Sequence, residues 1–325
     1  MAILVTGGCG YIGSVCVQRL IQRNYDIIVL DNLNTGHKET IDPKIPYYEG
    51  TILDKELLNR IFSENKIDVV MHFAAITTIE ESATNPSIYF NTNVTGGICL
   101  LDIMRKYECN KIIFSSTAAV FGNPKYTPID ENHPTNPVNS YGSSKLMFEQ
   151  ILFWYQQAYG LNYRIFRYFN AAGATEISGD NHHPENHLIP NILKVVLGIK
   201  KEISIYGSDY DTPDGTCIRD YIHVVDLIEA HILSLENWKA NPATTYNLGN
   251  EKGYSVLEVV ETAKRITGHP IPSKISDRRP GDPPVLIASN FKAKKELRWR
   301  PKFLSLENII TSQWKWQKRN YKAHK

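Results

Sequence analysis

The stretch SYGSSK, Ser140 to Lys145, sets a tyrosine and a lysine four residues apart at the head of an apolar helical run. Positions four apart share one face of a helix, so the ammonium of Lys145 can lie beside the phenol of Tyr141. A neighbouring positive charge favours phenolate and brings a tyrosine from its reference pKa near ~10 toward a value useful to a general base at neutral pH. Upstream, FSSTAAVFG supplies hydroxyls from Ser115, Ser116 and Thr117. Together these give a hydroxyl donor, a phenolic base and a cation. The YxxxK pair alone is equally what an ordinary first helical turn offers, so the reading depends on what the rest of the chain places around it.

A cofactor cradle is the first such feature. TGGCGYIGS follows the opening apolar run, with Gly8, Gly10 and Gly13 matching GxGxxG and Gly7 in front. Such a turn brings bare backbone N–H groups and a helix N-terminus against a pyrophosphate. DIIVLDN then ends a second strand on Asp31, where a carboxylate can bond a ribose 2′-hydroxyl and would repel a 2′-phosphate, so NAD is favoured over NADP. Glycines that merely let a helix pack on a strand would leave Asp31 unexplained. The small residues of HFAA, Phe73 to Ala75, suit either close passage of the cofactor or helix-to-sheet packing.

These residues need a sheet to hold them. Apolar runs (AILVT, DIIVL, KIPYYEG, DVVMHFAA, KIIFSS) alternate with helical patterns at Tyr11 to about Arg23, Asp54 to Asn65 and Pro86 to Tyr107. Continuous apolar strands separated by helices predict a parallel sheet covered on both faces, a doubly wound α/β Rossmann domain. After the helix from Ser140, NYRIFRYFN completes it, giving an NAD-binding domain over 1–170. Beyond Asn170 the chain shifts to Gly, Pro, Asn and His and to shorter elements: KEISIYG, TCIRDYIHV, TTYNLG and helices near Ile189 to Leu197, Val256 to Thr267 and Leu306 to Arg319. This predicts a smaller C-terminal α/β substrate domain over 171–325, with a segment near 217–235 returning to the first.

The 325 residues are 42% hydrophobic and 22% charged, enough apolar material for a large core, and a net charge of +2 implies no strong attraction to nucleic acid or anionic membrane. The five cysteines make no CxxC, so neither a zinc site nor a disulfide framework is expected. DNHHPENH, with His182, His183 and His187, fits no usual zinc spacing and reads as a polar loop without metal. No apolar run reaches a membrane span and MAILVTGG begins structure at once, which predicts a cytoplasmic protein. NVT at Asn93 is then a sequon without consequence.

In order and spacing, TGGCGYIGS, DNLNTG, HFAA, SSTAAVFG, YGSSK, RYFNAAGA, HLIP, DGTCIRDYIHVVD, YNLGN and RRPGD resemble the extended short-chain dehydrogenase family, over about residues 2 to 300. The resemblance implies NAD-dependent epimerisation at C4 of a UDP-hexose through a transient 4-ketosugar. Tyr141 would take the proton of the 4-hydroxyl, Lys145 would keep that phenol acidic and bond the nicotinamide ribose, and Thr117 would hold the 4-oxygen. The family's cofactor contacts fall on Gly7, Gly10, Tyr11, Ile12, Gly13, Asp31, Asn32, Thr51, Ile52, Phe73, Ala74, Ala75, Asn93, Ser115 and Tyr168, with Tyr141 and Lys145. On the substrate side, Asn170, Arg219 and Arg279 match diphosphate contacts and Asp282 the carboxylate on the UMP ribose. His187, Leu188 and the strand Ser204, Ile205, Tyr206 match positions around uridine, with Tyr221 beside them. Arg219 could instead pair with its neighbour Asp220. A homodimer through paired helices of the first domain is also implied.

Two positions depart from many relatives: Thr51 stands where an aspartate meets adenine, and Thr77 where a lysine reaches the nicotinamide ribose. Ala118 and Ala119 replace the acidic pair that dehydratases of the family carry after the threonine, which argues against dehydration. Leu286, where some relatives place a tyrosine, leaves room for an N-acetyl group, so UDP-GlcNAc is an expected second substrate. A UDP-glucuronate 4-epimerase and a catalytically silent NAD-binding regulator are the rival readings.

Overall fold

The computed structural model describes residues 1–182, 185–238, 241–279 and 281–323. The strands are β1 (Ala2–Thr6), β2 (Asp26–Asp31), β3 (Tyr47–Glu49), β4 (Val69–His72), β5 (Lys111–Thr117), β6 (Asn162–Tyr168), β7 (Asn170–Ala172), β8 (Ile203–Tyr206), β9 (Ile218–His223), β10 (Ala243–Leu248), β11 (Gly253–Ser255), β12 (Ser273–Ser276) and β13 (Val285–Leu286). The helices are α1 (Tyr11–Ile21), α2 (Lys55–Glu64), α3 (Ile79–Thr84), α4 (Pro86–Tyr89), α5 (Gly96–Lys106), α6 (Ser140–Tyr159), α7 (Leu188–Val196), α8 (Val224–Glu236), α9 (Val256–Thr267), α10 (Phe291–Leu297) and α11 (Leu306–Ala323).

Seven strands form one sheet in the order β10-β6-β5-β4-β1-β2-β3. β1 pairs parallel with β2 and β4, β2 with β3, and β4 with β5. Strand order reverses at β1, with β2 on one side and β4 on the other, and the carboxyl ends beside that reversal are where α/β sheets of this kind take a ligand. Every residue of β4 is buried and β1 is buried from Ile3 onward, which is why these strands read as unbroken apolar runs. On one face Leu4, Ile28 and Val70 meet Leu57 and Ile61 of α2, Leu100 and Met104 of α5, and Phe148 and Leu152 of α6.

The chain divides into two compact units, one of Met1–Gly122, Thr135–Arg167 and Ala230–Tyr246, the other of Asn123–Pro134, Tyr168–Glu229 and Asn247–Lys325. The chain thus returns to the first unit over Ala230–Tyr246, overlapping the end of the segment expected near 217–235. β9 stays in the second unit because it pairs with β7, β11 and β13, whereas TTYNLG, expected in the second domain, becomes β10 at the edge of the large sheet. The second unit has its own core, in which Ile192 and Leu193 of α7, Val259 and Ala263 of α9 and Ile309 and Ile310 of α11 pack around Ile205 and Tyr221. Among the described residues no helix is long and apolar enough to cross a membrane.

The helix expected over Pro86 to Tyr107 is interrupted. Its middle, Phe90–Thr95, is a π-helical turn between α4 and α5. Such an interruption commonly accompanies a functional site, and here it carries Asn93.

Candidate active site

The glycine turn is shaped partly by the protein itself and partly by something else. Gly7 has φ +72°, and a Cβ there would stand 2.6 Å from the Ala74 nitrogen. A Cβ on Gly13 would stand 2.0 Å from the Gly7 carbonyl oxygen, and one on Gly8 2.8 Å from Val29. Gly10 is different: its Cβ would meet nothing nearer than the Gly7 oxygen, at 3.4 Å. Internal packing accounts for three bare positions and not for the fourth. Gly10 is also the N-cap of α1, makes no side-chain cap, and is followed by no acidic residue in the first turn. The N–H groups around Tyr11 and Ile12 thus open a helix with no acidic side chain in its first turn, an arrangement that can take an anion. These features fit the pyrophosphate of NAD.

Asp31 fixes this turn from the end of β2. Its carboxylate accepts the Cys9 N–H at 2.8 Å and the Leu33 N–H at 2.8 Å, and burial pushes its pKa up against these bonds. Asn32 beside it is exposed and accepts the Asn34 N–H at 3.1 Å. Thr51 caps its own turn, accepting from Leu53 N–H at 3.3 Å, while the Ile52 side chain is in the core. Only the backbone of Ile52 is therefore open to a cofactor.

The segment after β4 is held at both ends. Phe73 and Ala74 donate N–H bonds to the Thr6 carbonyl at 2.9 and 3.0 Å, and the Phe73 ring packs 5.6 Å from His231. Asn93 is buried, accepts the Ile76 N–H at 2.9 Å, and donates to the Ile76 carbonyl and to Ser144 Oγ, each at 3.0 Å. It ties the loop of Ala75 to α6, a positioning role, and no sequon at this depth is reachable.

On α6, Asn139 caps the first turn by accepting the Gly142 N–H at 2.8 Å, which starts the helix so that Tyr141 and Lys145 share a face. A Cβ on Gly142 would stand 2.6 Å from the Ala119 carbonyl oxygen, so the helix lies directly against the turn that follows β5. Thr117 Oγ1 accepts the Ala119 N–H at 3.1 Å, and its own proton is given to the Tyr141 phenolic oxygen. The Thr117 hydroxyl and the Tyr141 phenol are thus hydrogen-bonded to each other.

Lys145 has its own partner. Burial pushes the phenol up to about 12, with only the Thr117 bond opposing it. Lys145 Nζ donates instead to the Ser115 carbonyl at 2.9 Å and lies 4.8 Å over the Phe114 ring. Burial brings Lys145 itself down to about 7, while the Glu149 carboxylate one turn further along favours its charged form. Glu149 also accepts Ser116 Oγ at 2.5 Å and pairs with Arg167 through Nη2 at 2.6 Å, all of it buried. His72 is held near 3 by burial and by the Lys145 charge, and is therefore neutral; its Nδ1 lies 2.7 Å from Thr6 Oγ1, and its carbonyl accepts Ser115 Oγ at 3.0 Å. Nothing in the sequence pattern marked His72, Glu149 or Arg167, although the spacing Tyr141, Lys145, Glu149 is the same four-residue step repeated.

In the second unit, Arg219 forms an ion pair with Asp282 and donates to the Ile218 carbonyl at 2.8 Å. Its neighbour Asp220 is not its partner. Asp220 is fully buried and accepts the N–H groups of Asn250, Glu251 and Ala288 at 2.7 to 3.1 Å. Leu286 lies opposite Arg219 in the β13–β9 register, and Asn170 opposite Tyr221 in the β7–β9 register. The Arg279 guanidinium sits 4.0 Å over the Tyr206 ring. Ser204 and Tyr206 flank Ile205, which is buried with Tyr221 in the core, so those two contribute support and not a free side chain. Tyr168 is buried at the end of β6. Leu188 opens α7, directly after the N-cap His187. His183 lies outside the described residues. His182 and His187 do not make a simple polar loop: with Asp180 and Glu185 they converge on one point. All five cysteines are free and buried.

Comparison with known proteins follows the same lines. Residues 3–249 match the NAD dependent epimerase/dehydratase family. The chain is 49% identical over 321 residues to a UDP-glucose 4-epimerase of Halalkalibacterium halodurans, covering 98% of this chain and 96% of that one. It is 46% identical over 327 residues to a UDP-glucose 4-epimerase of Lactobacillus helveticus, covering 100% and 99%. The crystal structure of UDP-glucose 4-epimerase from Bifidobacterium longum in complex with NAD+ and UDP superposes with a TM-score of 0.95 at 40% identity, covering 99% of each chain. With a glycine cradle at the β1 carboxyl end, a Thr117–Tyr141 pair and Lys145 on the same helix face, the chain belongs to the NAD dependent epimerase/dehydratase family.

Proposed function

We propose that this protein interconverts UDP-galactose and UDP-glucose by NAD-dependent epimerisation at C4. The observation that carries the reading is the half-buried Thr117–Tyr141 hydrogen bond, formed beside Lys145 in a chain whose glycine turn has the bare position an NAD pyrophosphate requires. The first unit is the NAD-binding domain and the second the UDP-sugar domain.

Tyr141 takes the proton of the sugar 4-hydroxyl and later gives it back. Its ring is already a hydrogen-bond partner of Thr117, whose oxygen is oriented by the Ala119 N–H, so the hydroxyl can be handed to the 4-oxygen without rearranging backbone. NAD, when bound, supplies the acceptor for the C4 hydrogen and returns it to the opposite face of the sugar. Lys145, anchored on the Ser115 carbonyl, keeps a cation on the phenol's helix face and contacts the nicotinamide ribose. Net redox is zero, so the chain must keep the nucleotide while the hexose turns.

Arg219 and Arg279 are the permanent cations for the diphosphate. Asp282 holds Arg219 in place and reaches the UMP ribose, with Asn170, Leu188, Ser204 and Tyr206 completing the nucleotide contacts. Leu286, opposite Arg219, leaves space at the sugar 2-position for an N-acetyl group. Among the described residues, Met147, Phe153 and Trp154 leave α6 with an exposed apolar face, Trp154 being 67% exposed, which supports a homodimer through this helix. The cytoplasm is the proposed location.

Purified protein incubated without added NAD should convert UDP-galactose to UDP-glucose and leave UDP-glucuronate unchanged, as read by chromatography of the sugar products. Turnover of UDP-glucuronate alone would replace this reading with the uronate one, and no turnover of either would favour a silent NAD-binding regulator.

A further inference from the structure

Between β7 and α7 four side chains from eight consecutive positions meet. The nearest ligand atoms of Asp180, His182, Glu185 and His187 all lie within 4.8 Å of one another. His182 Nδ1 is 2.7 Å from Asp180 Oδ1, and His187 Nδ1 is 3.0 Å from Asp180 Oδ2 and 3.5 Å from Glu185 Oε1. Both rings present the same nitrogen to the same carboxylate, and they stand edge to face with centroids 4.9 Å apart.

Burial makes this grouping costly as plain ion pairing. The Asp180 side chain is 3% exposed and that of Glu185 1%, so two carboxylates are withdrawn from water side by side. His187, 53% exposed, can carry a proton toward one of them, while a second proton on His182 would crowd two like charges onto Asp180. Lys194 reaches only to 4.0 Å of Glu185. A single divalent cation does the same work with both imidazoles neutral, two negative charges against two positive. In a tetrahedral zinc site with bonds of about 2.0–2.1 Å, neighbouring ligand atoms are about 3.3 Å apart; the contacts of the two imidazoles with Asp180 and Glu185 lie at 2.7 to 3.5 Å, and all four ligand atoms lie within 4.8 Å of one another.

The surroundings fix the ligands. Glu185 accepts the backbone N–H groups of His182 at 3.1 Å and His187 at 3.0 Å, so the carboxylate ties both histidines into one turn. The Asp180 backbone is bonded in both directions to the Gln313 side chain of α11, donating at 3.2 Å and accepting at 2.8 Å. Asn191 of α7 bonds the Glu185 carbonyl at 3.0 Å. Such outer bonds orient ligands before an ion arrives.

We propose that Asp180, His182, Glu185 and His187 form a structural divalent-cation site of zinc type, which clips the loop to the start of α7. The mixed nitrogen and oxygen donor set suits zinc better than calcium or magnesium, which take oxygen alone. Occupancy of the site does not depend on the epimerase reading.

The test uses full-length protein stripped with a chelator and titrated with Zn(II) alone by calorimetry, alongside thermal unfolding with and without one equivalent. One tight equivalent should bind and raise the Tm. His182→Ala should weaken that binding by at least about tenfold and abolish the rise. His182→Gln, which keeps a polar group toward Asp180, should fold as the parent does by circular dichroism and lose zinc equally. Failure of the parent to bind one equivalent, or binding of equal affinity in both folded variants, overturns the proposal.

Discussion

Lys145 lies one helical turn beyond Tyr141, yet its ammonium is bonded to the carbonyl of Ser115 at 2.9 Å, and the phenol is bonded to Thr117. Burial pushes that phenol up to about 12, so it stands protonated at neutral pH.

Tyr141→Phe removes the proton acceptor and keeps the ring. UDP-sugar binding should persist while kcat falls about 10²–10⁴-fold, the usual worth of a positioned general base. Calorimetric UDP titration and coupled turnover assays measure the two sides, and near-normal kcat would reject the assignment.

Lys145 falls from 10.5 to about 7 because burial disfavours its charge, with Glu149 pulling the other way. Its folded pKa is depressed, so the unfolded chain holds this proton between 7 and 10.5 while the folded chain releases it. Stability thus gains from this group as pH rises through that window and loses it as pH falls toward 7. Denaturant melts across the window should show Lys145→Met with a flatter pH slope than the parent. The same variant should move the rising limb of kcat against pH upward, and an unchanged limb would mean that another group sets the acidity of Tyr141.

Gly10 and Gly13 should separate cofactor binding from folding. Gly10→Ala meets no atom nearer than 3.4 Å and should fold within about 1 kcal/mol of the parent, yet be purified without NAD. Gly13→Ala would stand 2.0 Å from a carbonyl oxygen and should lower the Tm even before NAD is considered. Equal NAD content in parent and Gly10→Ala, by absorbance of the denatured extract, would dismiss the pyrophosphate reading.

Leu286→Tyr should cut kcat/KM for UDP-GlcNAc by at least about tenfold, a difference of 1.4 kcal/mol, and leave UDP-galactose within about twofold. If the parent shows no turnover of UDP-GlcNAc, the proposed room at the 2-position does not exist.

The large sheet was legible because β1, β2, β4 and β5 each carry a run of at least three apolar residues, and the glycine turn because its spacing has one physical use. β10 was harder to place: TTYNLG alternates like any edge strand, and only pairing with β6 assigns it to the first sheet. Asp282 and Arg219 are 63 positions apart and no periodicity links them, so their ion pair had to be seen. Glu149 and Arg167 escaped for a related reason, since a buried ion pair looks in sequence like two surface charges.

Helix α6 bears Tyr141, Lys145 and Glu149 on successive turns, and Glu149 reaches Ser116 on the neighbouring strand. Adding one amino acid anywhere between Tyr141 and Glu149 would swing all that follows about 100° around the axis, stranding whichever groups had been carried past it. This stretch can therefore tolerate changes of letter more readily than changes of length, and deletion scanning across it should find almost no survivors.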